Sequence, residues 1–214
     1  MTAPARGPRE RPVGRPEIVD AALRLIEEHD VSALTMRRLA AELGTAVTSI
    51  YWHVGNRDAL IDLLVERLVA DMGDVRLTGR SARTRVTSLL RQWRARLWEH
   101  PHLIALAHER GRTAAMFQPM QAALARELAP VGVRGTDAAL AIRALQVHVV
   151  SSVVLQRAST RGPVTHPTDP AAWGETSPDA ELVAALAEPL DYDAVFEVAV
   201  DALLDKLLPP PPPE

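Results

Sequence analysis

Apolar residues recur at the three-and-four spacing of helices almost from end to end of this chain, and the interruptions divide it into separate helical stretches. Pro16 suits a first helical turn, and Ile18, Ala22, Leu25 and Ile26 then make one stripe. Met36, Leu39, Ala40 and Leu43 make a second, between Thr35 as a cap and Gly44 as a stop. From Val47 to His53 only about two turns fit, and so short a helix needs anchors, which Val47, Ile50 and Val54 offer. Asn56 can cap a longer helix running to about Asp71, with Asp58 near its positive end and Leu60, Leu63, Leu64 and Leu68 on its apolar side.

Gly73 and Gly79 mark a break. An arginine-rich helix follows from about Ser81 to Glu99, with Val86, Leu89, Leu90, Trp93 and Leu97 turned inward and His100-Pro101 at its end. A short segment, His102 to Arg110, leads to a helix carrying Met116, Phe117, Met120 and Leu124 as far as Leu128. From Asp137 to Ala158 the polar face disappears, which predicts a helix buried nearly all round by this chain or by a second copy. Residues 159–178 read as a mobile loop, with Trp173 suited to dock on the core. A last helix, capped by Asp191, runs to about Leu208, with Tyr192, Val195, Phe196, Ala199 and Leu203 on one side and Val198, Ala202 and Leu204 towards another; 209–214 is a polyproline II tail.

Leu34 to Leu60 reads as a helix-turn-helix, with Arg37 and Arg38 pointing away from the buried side of its first helix. The free face of the second helix carries Thr48, Ser49, Tyr51, Trp52 and His53. Hydroxyls, an imidazole and aromatics with polar edges suit phosphate oxygens and base edges in a major groove. Spacing alone leaves a second reading open, because consecutive Tyr, Trp and His also suit a small core.

The wording of the segment goes further. IYWHVGNRDALIDLL resembles the end of the recognition helix and the following helix of the tetracycline-repressor (TetR) family, in which Tyr-Trp-His-Val precedes Asn, a basic residue and Ala-Leu-Leu. The resemblance implies base contacts by Val47, Thr48 and Ser49, backbone contacts by Tyr51, Trp52 and His53, and a phosphate held by Arg57 in place of lysine. Arg37 would read a guanine through O6 and N7. Three departures stand out: Val47 replaces a polar base reader, Ala46 replaces a capping side chain, and Met36 replaces a phosphate-touching hydroxyl. Val47 can still meet a thymine methyl, and the missing cap costs roughly 1 kcal/mol unless Thr45 substitutes.

Composition changes this picture little. At 214 residues with 47% hydrophobic residues, the chain has ample material for a core. No apolar run is expected to approach the roughly 20 residues of a membrane span, and the basic start lacks the apolar middle of a signal peptide, so the expected place is the cytoplasm. The absence of cysteine excludes disulfides and thiolate metal sites. Net charge is -3, and the positive charge is only partly gathered, in a basic arm over 1–14 that acidic residues follow at once. Arg11 and Arg15 suit a minor groove or a phosphate, and equally a disordered arm. The acidic run Glu27 to Asp30 is taken as a solvated helix end rather than a metal site.

The resemblance also implies a small-molecule effector among the later helices, and dimerisation through the last two long helices as a four-helix bundle. Candidate lining residues are Trp93, Trp98, His100, His108, Met116, Phe117, Met120, His148 and Gln156, although a methionine or aromatic at helical spacing equally suits core. His108 falls near the metal-ligating histidine of tetracycline repressors. Their second histidine, drug-reading amide and acid become Met72 or Gly73, Leu89 and Gln156. That exchange points to a larger, mostly apolar ligand, with no metal and no cofactor. His148 with Ser151 and Ser152 could suggest a nucleophile, but no orienting acid or oxyanion feature accompanies them, and such residues on a buried helix also satisfy neighbouring carbonyls.

The expected fold is all-α: a three-helix helix-turn-helix domain over 15–60 and a helical effector-binding and dimerisation domain over 61–208. The expected function is a regulator, not an enzyme and not membrane-bound, that represses by binding a palindromic double-stranded operator as a homodimer. The alternative is a dimeric helical interaction protein that has lost operator binding.

Overall fold

The computed structural model describes residues 13–100, 102–161 and 179–209, and all regular structure among them is helical. The helices are α1 (Arg15–Glu28), α2 (Met36–Glu42), α3 (Val47–Val54), α4 (Arg57–Gly73), α5 (Ala82–Glu99), α6 (Leu103–Glu109), α7 (Thr113–Leu128), α8 (Gly135–Arg161), α9 (Ala180–Ala187) and α10 (Tyr192–Leu207). They fall into two compact units, 1–74 with 100–118, and 75–99 with 119–214. The sequence boundary at 60/61 lies inside α4, which stays whole in the first unit because Leu60, Ile61, Leu64, Val65 and Leu68 are all buried along it.

In the first unit, Ile18, Ala21 and Ala22 of α1 are completely enclosed together with Leu39 and Ile50. Local chemistry sets where these helices stop and start. The Thr35 hydroxyl accepts the Arg38 amide at 3.2 Å to open α2, and Asn56 Oδ1 accepts the Ala59 amide at 2.8 Å to open α4. Gly44, at φ 62°, allows the Gly44 and Thr45 amides to return to the carbonyls of Ala41 and Ala40, which closes α2 and turns the chain into α3. Asp30 caps the short 3-10 turn Val31–Ala33, and the Ser32 hydroxyl and amide on its carboxylate hold its pKa below the usual range.

In the second unit, α8 packs against α5 and α10. Ala141, Leu145, Val149 and Val153 of α8, each four residues from the last, are buried with Leu89, Leu90 and Trp93 of α5 and Phe196, Val200 and Leu204 of α10. The described residues thus give α8 cover on one side, and of the two expected sources of cover, this chain or a second copy, the second stays open for the rest. Leu140, Val147, Val154 and Leu155 remain 51 to 65% exposed, because the described residues supply α8 with partners on one side only. The helix Gly135–Thr160 contains an 18-residue window of mean hydropathy 1.7 and is long and apolar enough by length and composition to cross a membrane. That corrects the expectation that no run approaches a span: isolated polar residues such as Arg143 break the run in sequence without lowering its mean much.

Three further elements differ from the sequence reading. α8 continues through Ser159 and Thr160, whose hydroxyls bond back to the carbonyls of Gln156 and Arg157 at 2.7 and 3.0 Å, so polar residues extend the helix there. α6 and α9 were not assigned as helices. Each is short, and α9 buries no residue, although Asp179 caps it through the Leu182 amide at 2.9 Å. Trp173, Arg11 and the 210–214 tail lie outside the described residues.

Candidate functional site

α3 is held from below. Ile50 is fully enclosed and Val54 nearly so, while Val47 is only half-buried and is a lesser anchor than expected. No side chain caps α3: Ala46 has none to offer, and the Thr45 amide is used in the preceding turn. With two residues turned inward, the rest of the helix faces out. Thr48 is exposed, Ser49 and His53 are half-buried, Tyr51 is 49% exposed and Trp52 82%. Trp52 meets His53 edge to face, with ring centroids 4.6 Å apart. An indole so exposed adds nothing to the core and keeps its N–H available for an acceptor. Arg37 is exposed on α2 beside this helix.

Two arginines differ from the sequence reading. Arg57 donates from Nε to the Leu34 carbonyl at 3.1 Å and from Nη2 to the Val31 carbonyl at 3.2 Å, so one edge of its fork holds the segment between α1 and α2. Arg15 donates from Nε to the His53 carbonyl at 3.1 Å, where the last turn of α3 has carbonyls without helical partners. The Arg15 tie fixes the end of α3 and the Arg57 tie fixes the segment leading into α2, roles that sequence reasoning missed. Arg110 adds a third tie in the same unit, forked onto both oxygens of Asp62 at 2.8 Å.

The nine effector candidates are divided between the two units. His100, His108, Met116 and Phe117 belong to the first unit, and Trp93, Trp98, Met120, His148 and Gln156 to the second. Trp93, Met116 and Met120 are fully enclosed and Phe117 nearly so, which makes them core. His100 Nδ1 lies 2.9 Å from Glu27 Oε1, and His108 is exposed on α6. His148 stacks on Phe196 at 5.0 Å with Nε2 3.2 Å from the Phe196 carbonyl. Ser151 and Ser152 donate to the carbonyls of His148 and Val149, as the carbonyl-satisfying reading expects, so neither hydroxyl is directed at the imidazole.

Trp98 and Gln156 do share a cleft of about 380 Å³, and with them come Arg91, Arg94 and Asp193, which sequence reasoning left out. A signal for them existed. Asp193, Glu197, Asp201 and Asp205 recur every four residues on α10, and they pair with Arg94, Arg91 and Arg83 of α5. Hydrogen bonds from these carboxylates hold the Arg83 and Arg91 guanidiniums even further on the charged side than usual.

A short, externally presented second helix behind a glycine turn, packed in one unit with α1, α2 and α4, in a chain that also holds a separate helical unit, defines a helix-turn-helix protein of two parts. Residues 18–64 match the family model described as bacterial regulatory proteins, tetR family. An HTH-type transcriptional regulator of Saccharopolyspora erythraea is 33% identical over 140 residues, 64% of this chain and 58% of that protein. The HTH-type transcriptional repressor DrrR1 of Streptomyces coeruleorubidus is 28% identical over 192 residues, 85% of this chain and 68% of that protein. Apo ActR from Streptomyces coelicolor superposes with a TM-score of 0.67 at 26% identity, covering 92% of this chain and 96% of ActR. The same ActR in complex with actinorhodin gives 0.65. Residues 18–64 thus carry a tetR-type helix-turn-helix, and over 92% of its length the chain is similar to ActR. It spans 58% of the length of the first of these relatives.

Proposed function

We propose that the protein is a transcriptional repressor that binds a palindromic operator as a homodimer and is released by a small, mostly apolar molecule. The observation that carries this reading is the outward face of α3, where Thr48, Tyr51 and Trp52 stand exposed over a buried Ile50 and Val54. Val47, Thr48 and Ser49 read base edges in the major groove, Arg37 takes a guanine, and Tyr51, Trp52 and His53 hold the backbone. Arg57 serves as a phosphate contact through its remaining N–H groups, on Nη1 and Nη2, because Nε and one Nη2 hydrogen are engaged.

Dimerisation is supported by the aliphatic side chains that α8 and α10 leave in water, Leu140, Val147 and Val154 on one and Val195 and Val198 on the other. Pairing both helices with their copies about a two-fold axis buries this surface. Two recognition helices then enter successive major grooves about 34 to 36 Å apart, which is what a palindrome offers. Repression follows the name of DrrR1, and effector release follows the ligand complex of ActR. An effector acts only through different affinities for the DNA-bound and free forms, and DNA weakens the effector by the same factor.

The test is binding of the purified protein to its own upstream DNA across a salt series. Specific binding that falls steeply with salt is expected, with Arg37→Ala weaker by about 1 to 3 kcal/mol and less selective at one base pair, and Tyr51→Ala weaker at every sequence. Binding with no preference for any palindromic fragment of the genome would sink the reading.

A further inference from the structure

The cleft on the second unit is bounded by α5, the later half of α8 and the start of α10, and its volume falls within the range of small-molecule sites. At its base lies Arg94, whose side chain is only 15% exposed. The guanidinium sits 4.6 Å over the Phe196 ring, donates to Gln156 Oε1 at 2.7 Å and donates to Asp193 Oδ1 at 2.6 Å. The two charges of the ion pair stand very differently towards water. Asp193 is 78% exposed, so its release into solvent costs little. Arg94 is enclosed, and leaving its guanidinium without an anion costs much more. A second anion entering the cleft can therefore replace Asp193 while Arg94 stays where it is.

The remaining lining suits one kind of molecule. Trp98 contributes an indole 36% exposed, with the Arg157 guanidinium 4.8 Å above its ring. Gln156 spends its oxygen on Arg94, and its amide nitrogen is bonded to no described residue, so it can donate to a ligand oxygen. Arg91 is held by both oxygens of Glu197, and Glu99 at the rim disfavours a second negative charge.

We propose that this cleft is the effector site and that it takes a flat aromatic molecule with a single acidic group, its ring against Trp98 and its acid in place of Asp193 on Arg94. The assignment rests on the ligand-responsive reading above and sharpens its ligand from mostly apolar to aromatic and anionic. Displacing Asp193 loosens the first turn of α10 from α5, leaving it the 3.5 Å bond from Arg94 Nη2 to the Tyr192 carbonyl. Because α10 carries part of the exposed aliphatic face, the site biases the helix that the dimer uses.

Two fluorescent probes test this with the full chain: anilinonaphthalene sulfonate, and phenylnaphthylamine, the same ring system without the acid. The sulfonate is expected to bind once per chain, about tenfold or more tighter than the neutral probe, and to weaken operator binding. Arg94→Met lowers sulfonate affinity about tenfold and leaves the neutral probe within about twofold. Asp193→Asn raises sulfonate affinity about threefold, a gain that no folding defect produces. Equal binding of both probes, equal loss of both in Arg94→Met, or no gain in Asp193→Asn overturns the site. Failure of probe selectivity with operator binding intact overturns the cleft alone, whereas absence of specific operator binding by the unaltered protein overturns the repressor reading beneath it.

Discussion

α3 and α8 both leave large side chains in water, yet the chemistry of the two faces is opposite. α3 exposes Tyr51 and Trp52 among hydroxyls and an imidazole, rings that carry polar atoms at their edges. α8 exposes Leu140, Val147 and Val154, seven residues apart, and Leu155 beside them. Aliphatic groups have nothing to offer a phosphate or a base edge except a methyl contact. They gain by leaving water together with a similar surface, and a seven-residue repeat is the spacing at which two helices do this continuously. Exposure therefore marks both faces as unfinished, and the polar atoms decide what finishes each.

The comparison breaks most severely at Val147. A Val147→Glu variant places a charge in the middle of the aliphatic seam, and the dimer dissociation constant is expected to rise at least about 100-fold. Sedimentation equilibrium measures it, and specific operator affinity should fall with it because one reading head alone meets half a palindrome. A variant that stays dimeric over the same concentrations would show that α8 pairs with nothing through this face.

The converse experiment leaves the seam alone and removes the support of α3. Ile50 is completely enclosed, so Ile50→Ala should cost about 2 to 5 kcal/mol of stability in the first unit, read by urea denaturation. The dimer should survive it. Loss of both properties together would mean that the two units do not hold their folds independently.

How much of this the sequence made legible follows from how local each cause is. Thr35, Gly44, Asn56 and Asp191 act on amides within a few residues, so the helix ends they make can be read directly from the chain. The stripe of α1 is legible for the same reason. What failed was long-range. Nothing near Trp93 or Met116 in sequence says that each is sealed in a core rather than lining a pocket, and nothing near Arg57 says that carbonyls more than twenty residues away engage its fork. For α8, hydrophobicity reports that a face wants cover and not whether its own chain or a second copy supplies it. The site residues Arg94 and Asp193, 99 positions apart, were legible only as two separate patterns, an arginine-rich helix and a four-residue repeat of acids.

A smaller effect belongs to Arg110. Its fork on Asp62 holds that carboxyl below the ordinary aspartate range, with Arg112 adding to it and Asp58 and Glu66 facing the same two arginines. A depressed carboxylate stabilises the fold above its unfolded value, about pH 4, and this contribution disappears as pH falls through the folded value. Arg110→Ala should thus flatten the acid limb of stability below about pH 4 while leaving the slope above pH 5 unchanged. An unaltered acid limb in the variant would show that the fork contributes no net stability.

The smallest change touches the weakest point of the reading helix. Ala46 is exposed and already has the extended backbone of a helix cap, φ -73° and ψ 142°, but no oxygen with which to accept an α3 amide. Ala46→Ser supplies that oxygen and should raise stability by roughly 0.5 to 1 kcal/mol. In a helix of 8 residues the gain is local, so hydrogen exchange of the α3 amides should slow more than that of the α8 amides. Such a result would show that α3 frays in solution and is completed when it meets DNA, whereas α8, four of whose residues are buried against its own unit, awaits only a partner for its open side. Equal slowing in both helices would assign the gain to the whole fold and remove that distinction.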